Sequence, residues 1–234
     1  MNRSRFFVNH PSDEASLMKC AELLAGYTLG ELAINANLTI PSSLKYDKGW
    51  IGILIEKHLG IPANNKPEPD FASLGIELKT IPINSGGHPL ETTFICMLSF
   101  NQHRNIGTTW ETSYVRKKLS RVLWIPIEGY RQIPLKLRKV GTPFLWSPNP
   151  QEEELLRRDW EELMELIILG EIDYLTSRYG EVMQIRPKAA HGKILTKATG
   201  RYGQQIFTLP RGFYLKKHFT AAIITRYFYN NGYI

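Results

Sequence analysis

Between Pro69 and Thr80 the chain reads Pro69-Asp70-Phe71-Ala72-Ser73-Leu74-Gly75-Ile76-Glu77-Leu78-Lys79-Thr80, which sets one acid a short loop ahead of an acid and a lysine separated by one apolar residue. Carboxylates from Asp70 and Glu77 converging on one point would make a hard oxygen site for Mg²⁺, an ion that takes few protein ligands and completes its shell with water and substrate phosphate. Lys79 beside that ion would position or help deprotonate an attacking water and offset charge on a phosphorane, with the ion as Lewis acid. This is the residue set of a metal-dependent phosphodiesterase. The acid-x-lysine triplet is a short pattern, and a chain with 22 acids among 234 residues contains about one by chance. Its weight comes from its surroundings. It lies in an apolar run (Ile76, Leu78, Ile81, Ile83), where an ionised pair facing inward is costly without a metal or each other.

Such side chains need a strand to hold them. In extended backbone Glu77 and Lys79 fall on one face, and Ile76, Leu78 and, further on, Ile81 are expected to point into a core. The break at Gly75 lets Asp70 arrive on the neighbouring segment, and Pro62 to Pro69 reads as a stiff polar loop that delivers it. Three helices are expected upstream. Ser12 caps the first, which carries Leu17, Cys20, Ala21 and Leu24 as far as Gly26; Thr28 and Glu31 form a capping box for the second; the third runs from about Lys48 to Gly60. Glu56 is a lone acid in that third, otherwise apolar helix. It is either a solvated acid or partner of Lys57, or a third carboxylate near Asp70, Glu77 and Lys79.

Downstream, Thr92 to Leu98 and Val122 to Ile127 read as strands, being rich in β-branched and aromatic residues. Asn84 to His88 and Ser99 to Asn105 read as polar loops. Between the strands, Tyr114 to Arg121 gathers four cations, either a solvated face or a set of phosphate contacts. A long helix is expected after Pro148-Asn149-Pro150, with Leu156, Trp160, Leu163, Met164, Ile167 and Ile168 on one side. Glu152, Glu153 and Glu154 complement its dipole, so that cluster is assigned no catalytic role. The pattern fades toward Gly170 and resumes from Tyr174 to Arg178, with Gly180 as a stop.

The composition suits one large soluble domain or two lobes, with 43% hydrophobic and 22% charged residues. No apolar run reaches the roughly 20 residues that span a bilayer, and the first ten residues lack the apolar core of a signal peptide, so a cytoplasmic protein without membrane association is expected. Cys20 and Cys96 read as buried thiols of a reducing compartment, and the six histidines show no paired metal spacing. A net charge of +7 and a pI near 9.3 favour a polyanionic partner, nucleic acid above all. The last third is basic and aromatic: Gln184-Ile185-Arg186-Pro187-Lys188, Lys193, Lys197, then Leu209 through Phe219. Arginine pairs in two-pronged fashion with guanine and tyrosine packs on a base or sugar, which is the chemistry of sequence reading. An amphipathic helix from Phe219 to about Tyr229 closes the chain.

Six blocks in order, Gly26 to Ala33, Asp47 to Gly52, Asp70 to Pro82, Leu90 to Phe94, Thr109 to Ser113 and Leu209 to Lys217, closely resemble the MutH family, the strand-nicking endonucleases of methyl-directed DNA mismatch repair. The likeness covers nearly the whole chain. It implies an α/β (α+β) restriction-endonuclease-like core, a mixed central sheet flanked by helices, in a single domain (1–234) whose two lobes form a clamp. A catalytic lobe is expected over about 1–110 and a recognition lobe with the C-terminal helix over about 111–234. By position, Asp70 and Glu77 match the family's metal ligands, Lys79 its catalytic lysine and Glu56 its auxiliary acid. Lys118 matches a lysine near the reaction centre. Lys48 and Gly49 match a loop at the DNA surface, Arg186 and Pro187, followed by Lys188, a recognition turn, and Tyr214 the tyrosine that senses adenine methylation. The implied cofactor is Mg²⁺, with Mn²⁺ or Ca²⁺ able to occupy the site. The implied substrate is double-stranded DNA at GATC, nicked on the unmethylated strand by a monomer that MutL activates and MutS serves indirectly. Two rival readings share these residues: a free-standing GATC restriction endonuclease, and a catalytically silent DNA-binding repair adaptor.

Overall fold

The computed structural model describes residues 11–44, 47, 49–61, 68–100, 107–189 and 192–232. The start of the chain, Lys48, most of the expected 62–69 loop and the loop at 101–106 lie outside the described residues. In chain order the elements begin with α1 (Glu14–Glu22), α2 (Leu29–Asn35), α3 (Trp50–His58), β1 (Glu77–Ile83), β2 (Thr93–Met97), α4 (Tyr114–Leu119) and β3 (Val122–Glu128). They continue with β4 (Phe144–Trp146), α5 (Pro150–Ile168), β5 (Met183–Pro187), β6 (Thr196–Thr199), β7 (Gln205–Thr208), β8 (Arg211–Leu215) and α6 (Lys217–Asn230). The mixed α/β class is as expected. The chain divides into two compact units, one of Met1–Glu91, Arg121–Ser147 and Ile223–Ile234, the other of Thr92–Ser120 and Pro148–Ala222. The segments of these units interleave in sequence, because β3 returns to pair with β1.

In the first unit β1 lies parallel to β3, and β4 pairs antiparallel on the other side of β3. Leu78 of β1 and Leu123, Ile125 and Ile127 of β3 share a core with Leu17 of α1, Leu32 of α2 and Leu54 of α3. Ile81 departs from expectation. It is buried but lies an odd number of residues from Leu78, so alternation turns it to the face that carries Glu77 and Lys79, opposite Pro126. Parallel strands are commonly covered on both faces, and β3 is buried through six of its seven residues. The face of β3 opposite the Leu123 core is aromatic: Trp124 stacks near Phe144, whose ring lies 4.6 Å from that of Tyr227 in α6.

Helix starts follow local chemistry. The box at α2 is formed, Glu31 N–H donating to Thr28 Oγ1 and Thr28 N–H to Glu31 Oε2. At α1 the cap is Asp13, not Ser12: the Asp13 carboxylate takes the Ser16 N–H at 2.7 Å, and Ser12 donates its hydroxyl to that carboxylate. Cys20 is buried as expected, whereas Cys96 is half-buried; among the described residues neither is in a disulfide.

In the second unit β8 lies between β2 and β5, antiparallel to both, and β6 and β7 form a separate hairpin. Pro150 opens α5 behind the Asn149 cap, as the Pro148-Asn149-Pro150 run predicts. The expected resumption of helix at Tyr174–Arg178 is absent. A 3₁₀ turn at Ile172–Tyr174 leads into a non-helical stretch whose Leu175 carbonyl is taken by the Arg211 side chain at 2.7 Å. The chain is led into β5 by a buried acid on α5: Asp159 accepts backbone N–H groups of Glu181, Val182 and Met183 at 2.8, 2.6 and 2.7 Å. Among the described residues no helix is long and apolar enough to cross a membrane.

Three charge-assisted bonds at one buried carboxylate make Asp159 a fixing point for β5. Replacing it with alanine strands three amides, and Asp159→Ala is expected to lower unfolding free energy by about 3 kcal/mol or more in a urea titration. A loss under about 0.5 kcal/mol, the range of ordinary surface substitutions, would contradict that role.

Candidate active site and nucleic-acid face

Asp70 stands at the start of a tight turn. Phe71 and Ile76 exchange backbone hydrogen bonds of 2.8 and 3.3 Å across it, and Gly75 at φ +66° supplies a conformation that L side chains rarely adopt. The turn folds Asp70 back beside β1, where its Oδ2 accepts the Leu78 N–H at 2.8 Å. On the strand, Lys79 Nζ donates to Glu77 Oε1 at 2.5 Å, with the Glu77 side chain 2% exposed and that of Lys79 14%. Glu56 reaches the same place from α3. Burial pushes its carboxyl above the ordinary carboxylate range, repulsion from Asp70 and Glu77 adds to the shift, and Lys79 opposes it. The Lys57 pairing weighed from sequence is not made, since Lys57 Nζ donates to the Ala36 carbonyl at 2.6 Å.

Asp70, Glu77, Lys79 and Glu56 are thus gathered in one unit, three acids around one cation. Among the described residues no three His, Cys, Asp or Glu side chains stand ready to enclose a metal. The donor set nevertheless fits a hard divalent ion: two carboxylates are the few protein oxygens such an ion uses, and mutual repulsion among the acids is what a cation relieves.

Lys118 lies in the second unit, buried on α4. The cation run around it is not one basic face. Arg116 pairs with Glu153 at 2.6 Å, Lys117 sits over the Tyr114 ring, and Arg121, in the first unit, pairs with Glu14. Gly49 is the N-cap of α3 without a side-chain cap, and Lys48 lies outside the described residues.

The sheet of the second unit has two different faces. Met183, Ile185, Phe213 and Leu215 are buried on one. On the other, Gln184 lies across from Tyr214 and Arg186 across from Gly212, with Phe94 of β2 on the far side of Tyr214. Arg186 Nη1 donates to Thr92 Oγ1 at 3.0 Å, its guanidinium 5.8 Å from the Tyr214 ring centre. Lys188 Nζ stands 3.7 Å from the Phe94 ring centre, and Phe94 meets Tyr214 edge-on at 5.3 Å. Gly212 is required there: a Cβ would come within 2.6 Å of the Phe94 ring. Arg186, Lys188 and Tyr214 therefore share one face, and Pro187 ends the strand that carries two of them. Gln184, part of the basic and aromatic run read from sequence, belongs to this face, as do Phe94 and Thr92, which sequence reasoning does not single out. A cross-strand register with a bulge between Phe94 and Cys96 places them, and no short-range pattern encodes it.

The family model described as DNA mismatch repair enzyme MutH matches residues 59–159. The chain is 60% identical over 218 residues to the DNA mismatch repair protein MutH of Photorhabdus laumondii, spanning 93% of this chain and 95% of that one. It is 60% identical to the protein of the same name from Serratia proteamaculans, over 94% of this chain and 95% of the relative. With that of Escherichia coli O6:K15:H31 the identity is 58%, over 97% of this chain and 99% of the relative. Identity of this order along almost the full length of both partners means that the chain belongs to the MutH family of DNA mismatch repair enzymes.

Proposed function

We propose that this chain is the methylation-sensitive nicking endonuclease of mismatch repair, hydrolysing the unmethylated strand 5′ to guanine at hemimethylated or unmethylated GATC. The partly buried Glu77–Lys79 pair beside Asp70 carries the reading, because it sets a desolvated cation next to two carboxylates, the arrangement that metal-assisted attack on a phosphate uses. Asp70 and Glu77 would hold the divalent ion, for which Mg²⁺ is the proposal. When bound, that ion supplies Lewis acidity to the phosphoryl oxygen and a lowered pKa to water. Lys79 orients the attacking water and neutralises charge gathering on phosphorus. The water oxygen bonds to phosphorus as the bond to the 3′ oxygen breaks, which leaves a 5′-phosphate and, once protonated, a 3′-hydroxyl. Glu56 tunes the charge of the site. Lys118 is proposed as a further cation near the reaction centre, with Lys48 and Gly49 at the DNA surface.

The first unit would then carry catalysis and the second recognition. Arg186, steadied by Thr92 and Tyr214, has the fork geometry that reads guanine, and Pro187 and Lys188 extend that turn. Adenine N6 faces the major groove, where a methyl group replaces a donor hydrogen and adds bulk, so a close-packed Tyr214 suits methyl sensing. MutL is the proposed activator of the monomer, with MutS acting through it.

Plasmid nicking with Mg²⁺ on unmethylated, hemimethylated and fully methylated GATC tests the reading. Cuts should be confined to unmethylated strands and stimulated by MutL; methylation-blind double-strand cleavage would overturn it. Glu77→Ala is expected to abolish nicking while GATC binding stays measurable, and full activity in that variant would remove Glu77 from the site. Arg186→Ala should forfeit about 1–3 kcal/mol of discrimination between GATC and a one-base variant, and unchanged discrimination would count against it. Burial, chiefly, lets Glu56 keep its proton to higher pH than an ordinary carboxylate, and a divalent ion beside it favours the ionised form, so Mg²⁺ affinity by calorimetry should weaken as pH falls from neutral into that raised range. Glu56→Gln should flatten the dependence; an equally steep profile in the variant would exclude Glu56 as its source.

A further inference from the structure

Nine lysines and arginines and no aspartate or glutamate follow Glu181, in a chain whose totals are 29 and 22. The surplus positive charge therefore resides after Glu181. Part of it lies on Arg186 and Lys188, and part on the β6–β7 hairpin, which is inserted between the two strands that carry Arg186 and Tyr214. The hairpin leaves their sheet at a closed neck, where Lys188 N–H donates to the Pro210 carbonyl at 2.7 Å.

Its two faces differ. Ala198 pairs with Ile206, and Ala198 is buried. On the opposite face Lys197 pairs with Phe207, which is 61% exposed, beside Leu195 at 55%. Tyr202 at the tip is 86% exposed. The hairpin is nonetheless firmly seated. A Cβ on Gly170, just past α5, would fall 2.4 Å from the Gly200 carbonyl carbon, and Arg201 pairs with Glu171 at 3.1 Å. Its turn is closed by Gly200 N–H to Gln204 O at 2.8 Å and Gly203 N–H to Gly200 O at 2.9 Å. A rigid two-stranded ribbon with an outward face of cation and aromatic, and no acid along it, is complementary to a polyanion with apolar sugar edges. Two-stranded ribbons of this kind enter or flank DNA grooves.

We propose that the outward face of the β6–β7 hairpin is a second DNA-contact surface that holds duplex flanking the recognition bases. Lys197, with Lys193, lies along phosphates, and Phe207 packs on deoxyribose. The inference rests on duplex DNA being the substrate. It predicts a contribution to affinity without sequence content, because phosphate contacts position and base contacts specify.

The test compares wild type with the folded double variant Lys197→Ala, Phe207→Ala, checked by thermal melting, on a long duplex with central GATC and on one trimmed close to GATC. Binding is measured over a salt series. The variant should lose about tenfold affinity for the long duplex at low salt, with the slope of log affinity against log salt reduced by about one. Its discrimination between GATC and a one-base variant should be unchanged, as should binding to the trimmed duplex. Arg186→Ala should do the reverse, losing discrimination while keeping the gain from flanks. Failure of that control would strike the base-reading assignment and leave the hairpin result standing. Unchanged affinity and salt slope in the hairpin variant would overturn the proposal. So would normal DNA binding coupled to lost stimulation by a repair protein, which would make the ribbon a protein-docking face.

Discussion

Seven residues of β1 run parallel to seven of β3, from Glu77 opposite Val122 to Ile83 opposite Glu128, with Glu77 N–H donating to the Arg121 carbonyl at 2.9 Å. A parallel pair cannot be closed by a hairpin, so the chain must leave β1 and return by a long crossover. The Thr92–Ser120 part of the second unit occupies that crossover. The pairing also decides where charge can stand. With Leu78 and Leu123 committed to the core beside α1 to α3, alternation leaves Glu77 and Lys79 on the opposite face next to Val122 and Trp124, in surroundings dry enough to force them together. A one-residue slip would exchange the two sets, and the apolar cost of that exchange holds the site in register.

Asp70 depends on the same strand. Its carboxylate is held by the Leu78 amide, the residue between Glu77 and Lys79, so strand geometry sets the spacing of all three groups. Placing acids this way sets them against one another, and at Glu56 that repulsion adds to an upward shift caused chiefly by burial. That stored repulsion is what a divalent ion can release, and binding energy is thereby coupled to the charge state of the site. The second unit solves a different problem, presenting cations on a sheet face without collapsing it. It does so by laying Arg186 and Lys188 against aromatic rings, with Gly212 leaving room for Phe94.

Features governed by near neighbours were legible in the sequence. Thr28 and Glu31 announce their capping box, Asn149-Pro150 announces a helix start, and the alternation of Glu77, Leu78 and Lys79 announces a strand with its charges on one side. The other candidates, Glu56, Lys118 and Arg186 among them, took their assigned roles by position from the resemblance to the MutH family. What escaped depends on partners far along the chain. Nothing near Asp159 says that it will bind amides more than twenty residues later, and three-residue β4 carries too little pattern to be recognised as a strand. Ile81 was placed by its apolarity where parity should have decided. The cations from Arg116 to Arg121 looked like one surface because sequence proximity hides that Arg116 and Arg121 serve acids in different units. The interleaving of the two units in sequence has the same origin: the return of β3 to β1 is a tertiary event that no local pattern announces.

The central claim is that Asp70 and Glu77, spaced by β1, hold a divalent ion beside Lys79. The most direct measurement is an anomalous difference map from crystals of the protein with Mn²⁺. The strongest protein-bound peak is expected between the Asp70 and Glu77 carboxylates, next to Lys79 Nζ, and absent in Glu77→Ala crystals grown the same way. A strongest peak elsewhere, or none between these carboxylates at saturating Mn²⁺, would contradict the assignment.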